Sequence, residues 1–265
     1  MKTINLLAVL SIIALSFASC TKDDNPKTES DNSVIAAYAT IDAINTMDVQ
    51  TGSQVNSDNS AGKSLNNSCA VVSIETETTT FPKTFYVDFG SGCTVNGITR
   101  KGKLKITFSG YLHITGNTMT IERENYFIND KKVEGVILYK NTTTNAAVPQ
   151  WTRTVIDGKF TDNGVVFLHS GTNTTRQTAG FNTVPLADNI FEIFEGKYFV
   201  SKENGDQITL TINEALVKIH SCDYVSKGKL NVEGILLNGV VDYGNGDCDN
   251  QAIYTQNGVE YPFLM

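Results

Sequence analysis

The chain lacks most of what catalysis or nucleic-acid binding needs. It carries only 3 His, 1 Trp and 5 Pro in 265 residues. No Gly-x-Ser-x-Gly elbow is present, so a hydrolase nucleophile on a strand-to-helix turn is excluded. No C-x-x-C spacing occurs, which argues against a zinc site built from thiolates. No basic run exists, and 28 acids against 21 bases give a formal charge of −7. That balance argues against nucleic acid and anionic headgroups as main partners. There is one long apolar run, from Ile4 to Leu15. It is shorter than the ~20 residues a membrane-spanning helix requires.

That run has the build of a secretory signal. Lys2 precedes it, and small residues follow it up to Cys20. Phe17-Ala18-Ser19-Cys20 resembles the bacterial lipobox, with Phe17 where Leu is commoner. The resemblance implies cleavage before Cys20 and diacylglycerol attachment to its sulfur. Lys22, Asp23 and Asp24 follow at once, and resemble the lipoprotein export signal of Bacteroidota. That resemblance implies an outer-membrane lipoprotein facing the cell exterior. Thr21 to Asn32 holds no aromatic, Ile, Leu or Val, and cannot bury enough surface to order itself. The expected organisation is a signal over 1–19, a lipidated flexible tether over 20–32 and one β-rich domain over 33–265.

Four cysteines remain: Cys69, Cys93, Cys222 and Cys248. An even set in an exported chain reads as disulfides. Of the three pairings, Cys69–Cys93 and Cys222–Cys248 are favoured. Their intervals are nearly equal and close on one motif. The first pair ends in Asp88-Phe89-Gly90-Ser91-Gly92-Cys93, the second in Asp242-Tyr243-Gly244-Asn245-Gly246-Asp247-Cys248. Lys101-Gly102-Lys103-Leu104 also recurs as Lys227-Gly228-Lys229-Leu230. These cassettes read as related closing elements from an old duplication.

Between the cassettes apolar residues recur with period two, as in Leu104, Ile106 and Phe108 or Ile208, Leu210 and Ile212. Asn-Gly, the dipeptide suited to type I′ turns, occurs at Asn96, Asn163, Asn204, Asn238, Asn245 and Asn257. Asp157-Gly158 fits another turn or a bulge. Strands are expected over 84–89, 102–110, 118–128, 132–140, 151–160, 164–170, 190–200, 206–212, 224–233, 235–243, 250–256 and 259–264. The fold class is all-β: an antiparallel meander, as a sandwich or half-open barrel, with one N-terminal helix. Val34, Ala37, Tyr38, Ile41, Ile44 and Met47 place that helix over 33–49, with Asp31 or Ser33 as cap. Residues 50–68 and 141–150 read as loops, the second a candidate seam between halves.

This order of features resembles a family of uncharacterised Bacteroidota lipoproteins. The resemblance rests on Asp88 to Cys93, Asp242 to Asn250, Gly102-Lys103 and the Asn257-Gly258 hairpin. It implies a β-rich exported domain and supplies no activity.

Candidate chemistry is sparse. His113, His169 and His220 are scattered, and read as structural or surface groups. His220 and Cys222 would suit a metal only in a reduced protein. Glu122 and Glu124 lie two apart on one strand and so share a face; Arg123 points the other way. Paired acids are what glycoside hydrolysis uses. Asn245, Asp247 and Asp249 alternate as calcium ligands would, but read better as a tight turn beside a disulfide. Tyr111, Tyr126, Tyr139, Trp151 and Tyr198 offer flat faces to sugars or to a core. The sequence therefore predicts a lipid-anchored, non-catalytic binding or scaffolding domain with an extracellular ligand or protein partner. It calls for no metal and no cofactor. The alternatives are a polysaccharide hydrolase using Glu122 and Glu124, and a lipid or lipoprotein carrier built on an open barrel.

Overall fold

The computed structural model describes residues 32–58, 69–75, 80–181 and 186–265. The signal, most of the tether, Cys20, Lys22, Asp23 and Asp24 lie outside the described residues.

The described chain is a helix, α1 (Ser33–Asp58), followed by one antiparallel sheet. Its strands are β1 (Val71–Ile74), β2 (Lys83–Asp88), β3 (Cys93–Val95), β4 (Ile98–Phe108), β5 (Thr118–Ile128), β6 (Lys131–Asn141), β7 (Gln150–Asp162), β8 (Val165–Ala179), β9 (Ile190–Lys202), β10 (Ile208–Ile219), β11 (Lys227–Glu233), β12 (Asn238–Asn245), β13 (Gln251–Gln256) and β14 (Val259–Leu264). Spatial order follows chain order, except that short β3 pairs only with β4. The sheet runs from an edge at β1 to an edge at β14 and is open. It is one meander curled around a helix, not two stacked sheets.

Period two carries the core. Leu104, Ile106 and Phe108 are buried, as are Met119 and Ile121, Ile208 and Leu210, Leu230 and Val232. The opposite face is polar. Threonine hydroxyls there bond across strands, as in Thr84–Thr107 at 3.0 Å and Thr154–Thr172 at 3.1 Å.

The turns are built as the dipeptides demand at three places. Asn96-Gly97, Asn163-Gly164 and Asn257-Gly258 have positive φ at both residues and join β3–β4, β7–β8 and β13–β14. Asn129-Asp130 does the same between β5 and β6 without a glycine. Asn238-Gly239 corrects the pattern: it opens β12 rather than forming a turn. A Cβ on Gly239 would lie 2.1 Å from the Thr255 carbonyl oxygen, so glycine there serves close strand approach.

Bulges crease the sheet along one line. Ladder register shifts between Lys101 and Lys103 on β4, Glu134 and Val136 on β6, and Val155 and Gly158 on β7. Positive φ at Gly102, Asn125, Gly135, Asp157, Gly171 and Gly228 lies along this line. Each extra residue bends its strand and raises the local twist. Asp157-Gly158 is thus a bulge.

Several boundaries differ from the sequence reading. β1 and β3 were not expected, and β8 and β10 run on to Ala179 and Ile219. The expected loop over 141–150 shortens, because Asn141 ends β6 and Gln150 opens β7. β6 and β7 pair as a hairpin, so the ladder is continuous at the candidate seam. The helix runs nine residues past Val49, taking the first part of the expected loop 50–68. Thr51, Gly52 and Val55 are buried there, so tertiary contact overrides weak helix propensity. At its start Asn32 precedes the first turn, its carbonyl accepting from Ile35 N at 3.0 Å. Ser33 is already helical, and Asp31 lies outside the described residues.

The cysteine pairs stand at disulfide distance, with Cα–Cα 5.5 Å for Cys69–Cys93 and 5.2 Å for Cys222–Cys248. The second pair links the β10–β11 connection to the β12–β13 connection. The cassettes share their internal build. Asp88 Oδ1 accepts Gly90 N–H at 2.8 Å, and Asp242 Oδ1 accepts Gly244 N–H at 2.9 Å. Lys103 pairs with Asp88 at 3.0 Å and Lys229 with Asp242 at 3.5 Å. The Gly90 N–H, and then Lys103, hold the Asp88 carboxyl below its usual range. Strand order is reversed, however: the lysine strand follows the aspartate strand in the first cassette and precedes it in the second. A plain tandem duplication does not produce that order.

Glycine's two roles are separable by substitution. Gly97 and Gly102 have nearly the same φ, 79° and 80°. A Cβ on Gly97 meets nothing within 4 Å, whereas one on Gly102 falls 2.0 Å from the Asn125 carbonyl oxygen. Gly97→Ala should cost about 1 kcal/mol of backbone strain. Gly102→Ala should cost about 3 kcal/mol or more, because the two strands must also part. Urea denaturation followed by Trp151 fluorescence measures both.

Candidate functional site

The helix is buried on most of its circumference and fastened to the sheet by charge. Asp48 is fully buried, and four hydrogen bonds converge on its carboxylate. Oδ1 accepts Arg100 Nη2 at 2.8 Å and the Tyr126 hydroxyl at 2.7 Å. Oδ2 accepts Arg123 Nε at 2.9 Å and Nη2 at 2.7 Å. All the carboxylate's acceptor positions are filled. Asn45 Oδ1 takes a further bond from Arg123, and Thr51 Oγ1 one from Arg100. One turn and a half earlier, Asp42 pairs with Arg153, whose Nη1 also donates to Thr46 Oγ1 at 3.0 Å. Tyr38 packs its ring 5.1 Å from that of Tyr198. Burial, followed by the Asp48 charge, pushes the Tyr126 hydroxyl well up, so it stays protonated and donates.

These arginines follow from strand parity. Ile121 faces inward on β5, so Arg123 does too, and its side chain is fully buried. Arg153 shares a face with Val155 on β7 in the same way. An arginine at a core-parity position was the sequence signal for a buried acidic partner. Asp42, Asn45 and Asp48 recur every three residues on α1 and supply it.

His169 completes the buried layer. Its ring lies against Gly158, where a Cβ would fall 2.3 Å from Cε1. Burial, then Arg123 and Arg153, pull its pKa down to about 3. The imidazole is therefore neutral, and its Nε2 has no hydrogen-bond partner among the described residues. His113 stacks on exposed Tyr111 at 5.6 Å.

One stripe of α1 is left partly open. Thr40, Ala43, Met47, Gln50 and Gln54 look into a cavity of about 670 Å³. Its far wall comes from both ends of the sheet. Phe89, Cys93, Val95, Ile98 and Arg100 come from the first cassette side, with Ile128 and Lys131 beyond them. Lys218, His220, Cys222, Tyr224, Leu264 and Met265 come from the other. Curling brings these together, because the two groups lie more than 80 residues apart in the chain. The volume is in the range of small-molecule sites. A second concavity of about 640 Å³ lies at the β12–β14 edge and is acidic, with Asp242, Asp247 and Asp249 around it. Asp249 Oδ1 there accepts Gln251 N–H at 2.9 Å, as a turn-forming aspartate does. No group of three metal-ligating side chains is found among the described residues.

The remaining sequence candidates fall elsewhere. Glu122 and Glu124 lie on the outer face, where Glu122 pairs with Lys105 at 3.5 Å. Neither lines the two concavities. The five aromatics do not form one platform: Tyr126 and Tyr198 lie buried, and Tyr111 is exposed. Tyr139 and Trp151 stack on each other at 6.4 Å. The buried lysine of the cavity wall, Lys218, was missed. It follows buried Leu216 at core parity on β10, beyond the point where that strand was expected to end.

Comparison with protein-family models, with curated proteins and with solved structures finds no match to this chain.

Two outcomes follow from the buried layer. Asp48→Ala leaves Arg100 and Arg123 without their shared carboxylate. It should cost about 3–5 kcal/mol in urea denaturation, the usual effect of breaking a buried ion pair from one side. His169 titrates near 3 when folded and near ~6.5 when unfolded. Between those values the unfolded state holds the extra proton. Stability therefore falls as pH drops, by up to ~1.4 kcal/mol per pH unit from this group. His169→Gln should shrink the loss of stability between pH 6.5 and pH 4, read from urea midpoints.

Proposed function

We propose that the chain is a lipid-anchored lipoprotein of the cell envelope, exposed at the outer surface, whose helix-filled barrel is a non-catalytic binding domain. The observation that carries the binding role is the cavity of about 670 Å³ beside the open stripe of α1. Small side chains at Thr40 and Ala43 leave room there, and both cysteine cassettes brace its rim. Ligand sites are commonly such concavities, with apolar walls and a few polar groups. This favours the carrier variant of the binding role: a small ligand held inside the curl, rather than a sugar laid on a flat aromatic face. Anchoring is supported by Phe17-Ala18-Ser19-Cys20, and outward display by Lys22, Asp23 and Asp24. The outer-face setting of Glu122 and Glu124 gives the hydrolase alternative no support.

Mass spectrometry tests both halves of the proposal. The mature N-terminal peptide should begin at Cys20 and carry diacylglycerol; a free Cys20 thiol would overturn the anchor. Native mass spectrometry of the purified full chain should show a non-covalent small-molecule adduct. Ala43→Trp, which fills the cavity, should remove that adduct. An adduct unchanged by Ala43→Trp would sink the cavity as the binding site.

A further inference from the structure

The cavity wall is rich in cations, although the chain as a whole is acidic. Arg100, Lys131 and Lys218 line it, against one side-chain carboxylate, Asp223. Two of these cations are already matched inside the protein. Arg100 shares Asp48, and Lys131 pairs with Asp162 at 2.8 Å. Lys218 is different. It is only 9% exposed, and its Nζ donates to the carbonyl oxygen of Cys222. A carbonyl satisfies one N–H and leaves the charge unmatched. Asp223 and Asp42 act on it only at longer range, and burial pulls its pKa down to about 8. The ammonium therefore remains mostly charged at neutral pH. Lysine is rarely buried this far without a counter-charge, because desolvating the ion is costly.

The whole concave side repeats the imbalance. Four inward-facing cations, Arg100, Arg123, Arg153 and Lys218, face two buried carboxylates, Asp42 and Asp48, among the described residues. Around Lys218 the same cavity offers hydrocarbon from Ile44, Met47, Val95, Ile98, Ile128 and Leu264.

We infer that the cavity takes an amphipathic organic anion, its carboxylate or phosphate group on Lys218 Nζ and its apolar body against Ile44, Met47, Val95 and Ile98. This rests on the binding role proposed above, and adds the chemical class of the ligand. Charge complementarity selects it. An anion supplies the missing partner for the ammonium, and an apolar body covers the rest of the wall. A neutral amphiphile gains only the second term, and a cationic one is repelled.

Equilibrium dialysis tests this on the full chain in lipid nanodiscs, with empty nanodiscs subtracted. The probes are octanoate, octyl phosphate, 1-octanol and octylamine. At least one anion should bind ten times or more tightly than 1-octanol, and octylamine should bind least. The two anions report which headgroup the site prefers. Lys218→Met should bring the anions to the 1-octanol level and leave 1-octanol unchanged, while Lys218→Arg should retain the anion preference. Methionine matches the lysine stem as far as Cε and removes an unmatched buried charge, so this variant should melt no lower than wild type. If it does unfold, the ranking of the four probes on wild type decides by itself. Equal binding of octanoate and 1-octanol would overturn the anion assignment and leave the cavity role standing. Failure of all four probes to bind would overturn the inference, and an adduct lost in Ala43→Trp would still report whether the cavity role survives.

Discussion

One carboxylate organises this molecule. Asp48 sits in the interior with every acceptor position used, holding two arginines and a tyrosine from β4 and β5 to the helix. In that setting its charge is matched both by ions and by geometry, which is what a buried ion needs to be tolerated. A helix held only by apolar contact can slide or rotate by a turn at little cost. A helix held by a bidentate arginine, with a second ion pair at Asp42, has one register. The same network explains why the polar segment from Gln50 to Asp58 stays helical. Thr51 is an acceptor in the network, and Gly52 is packed against Met119. Hydroxyls that cannot reach water bond back to the preceding turn, as Thr51 does to Met47 at 2.9 Å.

Helix and crease need each other. Straight strands of eleven to fifteen residues could not curl tightly enough to surround a single helix. The line of bulges on β5, β7 and β10, set against Gly102, Gly135 and Gly228, bends them at one level, and that level lies beside the buried arginines and His169. The bend exposes a cost as well. Glycines with positive φ leave the strands loosely constrained before folding, and the arginine–aspartate contacts restore definition where the backbone gives it up. Outer-face pairs such as Lys103–Asp88 and Lys229–Glu214 sit in water and contribute little each. Their regular placement suits solubility and register more than stability.

Local signals were legible in the sequence. Period-two runs placed twelve of the strands, Asn-Gly marked three of the hairpin turns, and cysteine spacing gave the pairs found at bonding distance. The helix was legible where apolar residues recur and illegible where they stop, because its last nine residues are helical by tertiary contact alone. β1 and β3 are short and lie within disulfide cassettes, where period two has no length in which to appear. The far half of β8 is threonine-rich, and reads as loop until its neighbours supply the ladder. The site was hidden for a related reason. Arg123 was placed on the face opposite Glu122 and Glu124, yet nothing local says that this face is the inner one. Lys218 and Phe89 meet only when the sheet curls, a long-range event that no window of residues records.

Placing the central helix first in the chain has a consequence for how the molecule is made. Asp42 and its arginine are 111 residues apart in sequence, and Tyr38 waits for Tyr198. During synthesis the segment that will become the axle emerges long before any of the wheel exists to hold it. A helix in a protein draws most of its stability from the tertiary packing of its faces, and here that packing comes from strands made later. Assembly must therefore await most of the chain, and contacts of such wide separation make for slow closure. A polypeptide that stays unfolded through its own translation is a good substrate for threading through a membrane channel before it takes its final shape.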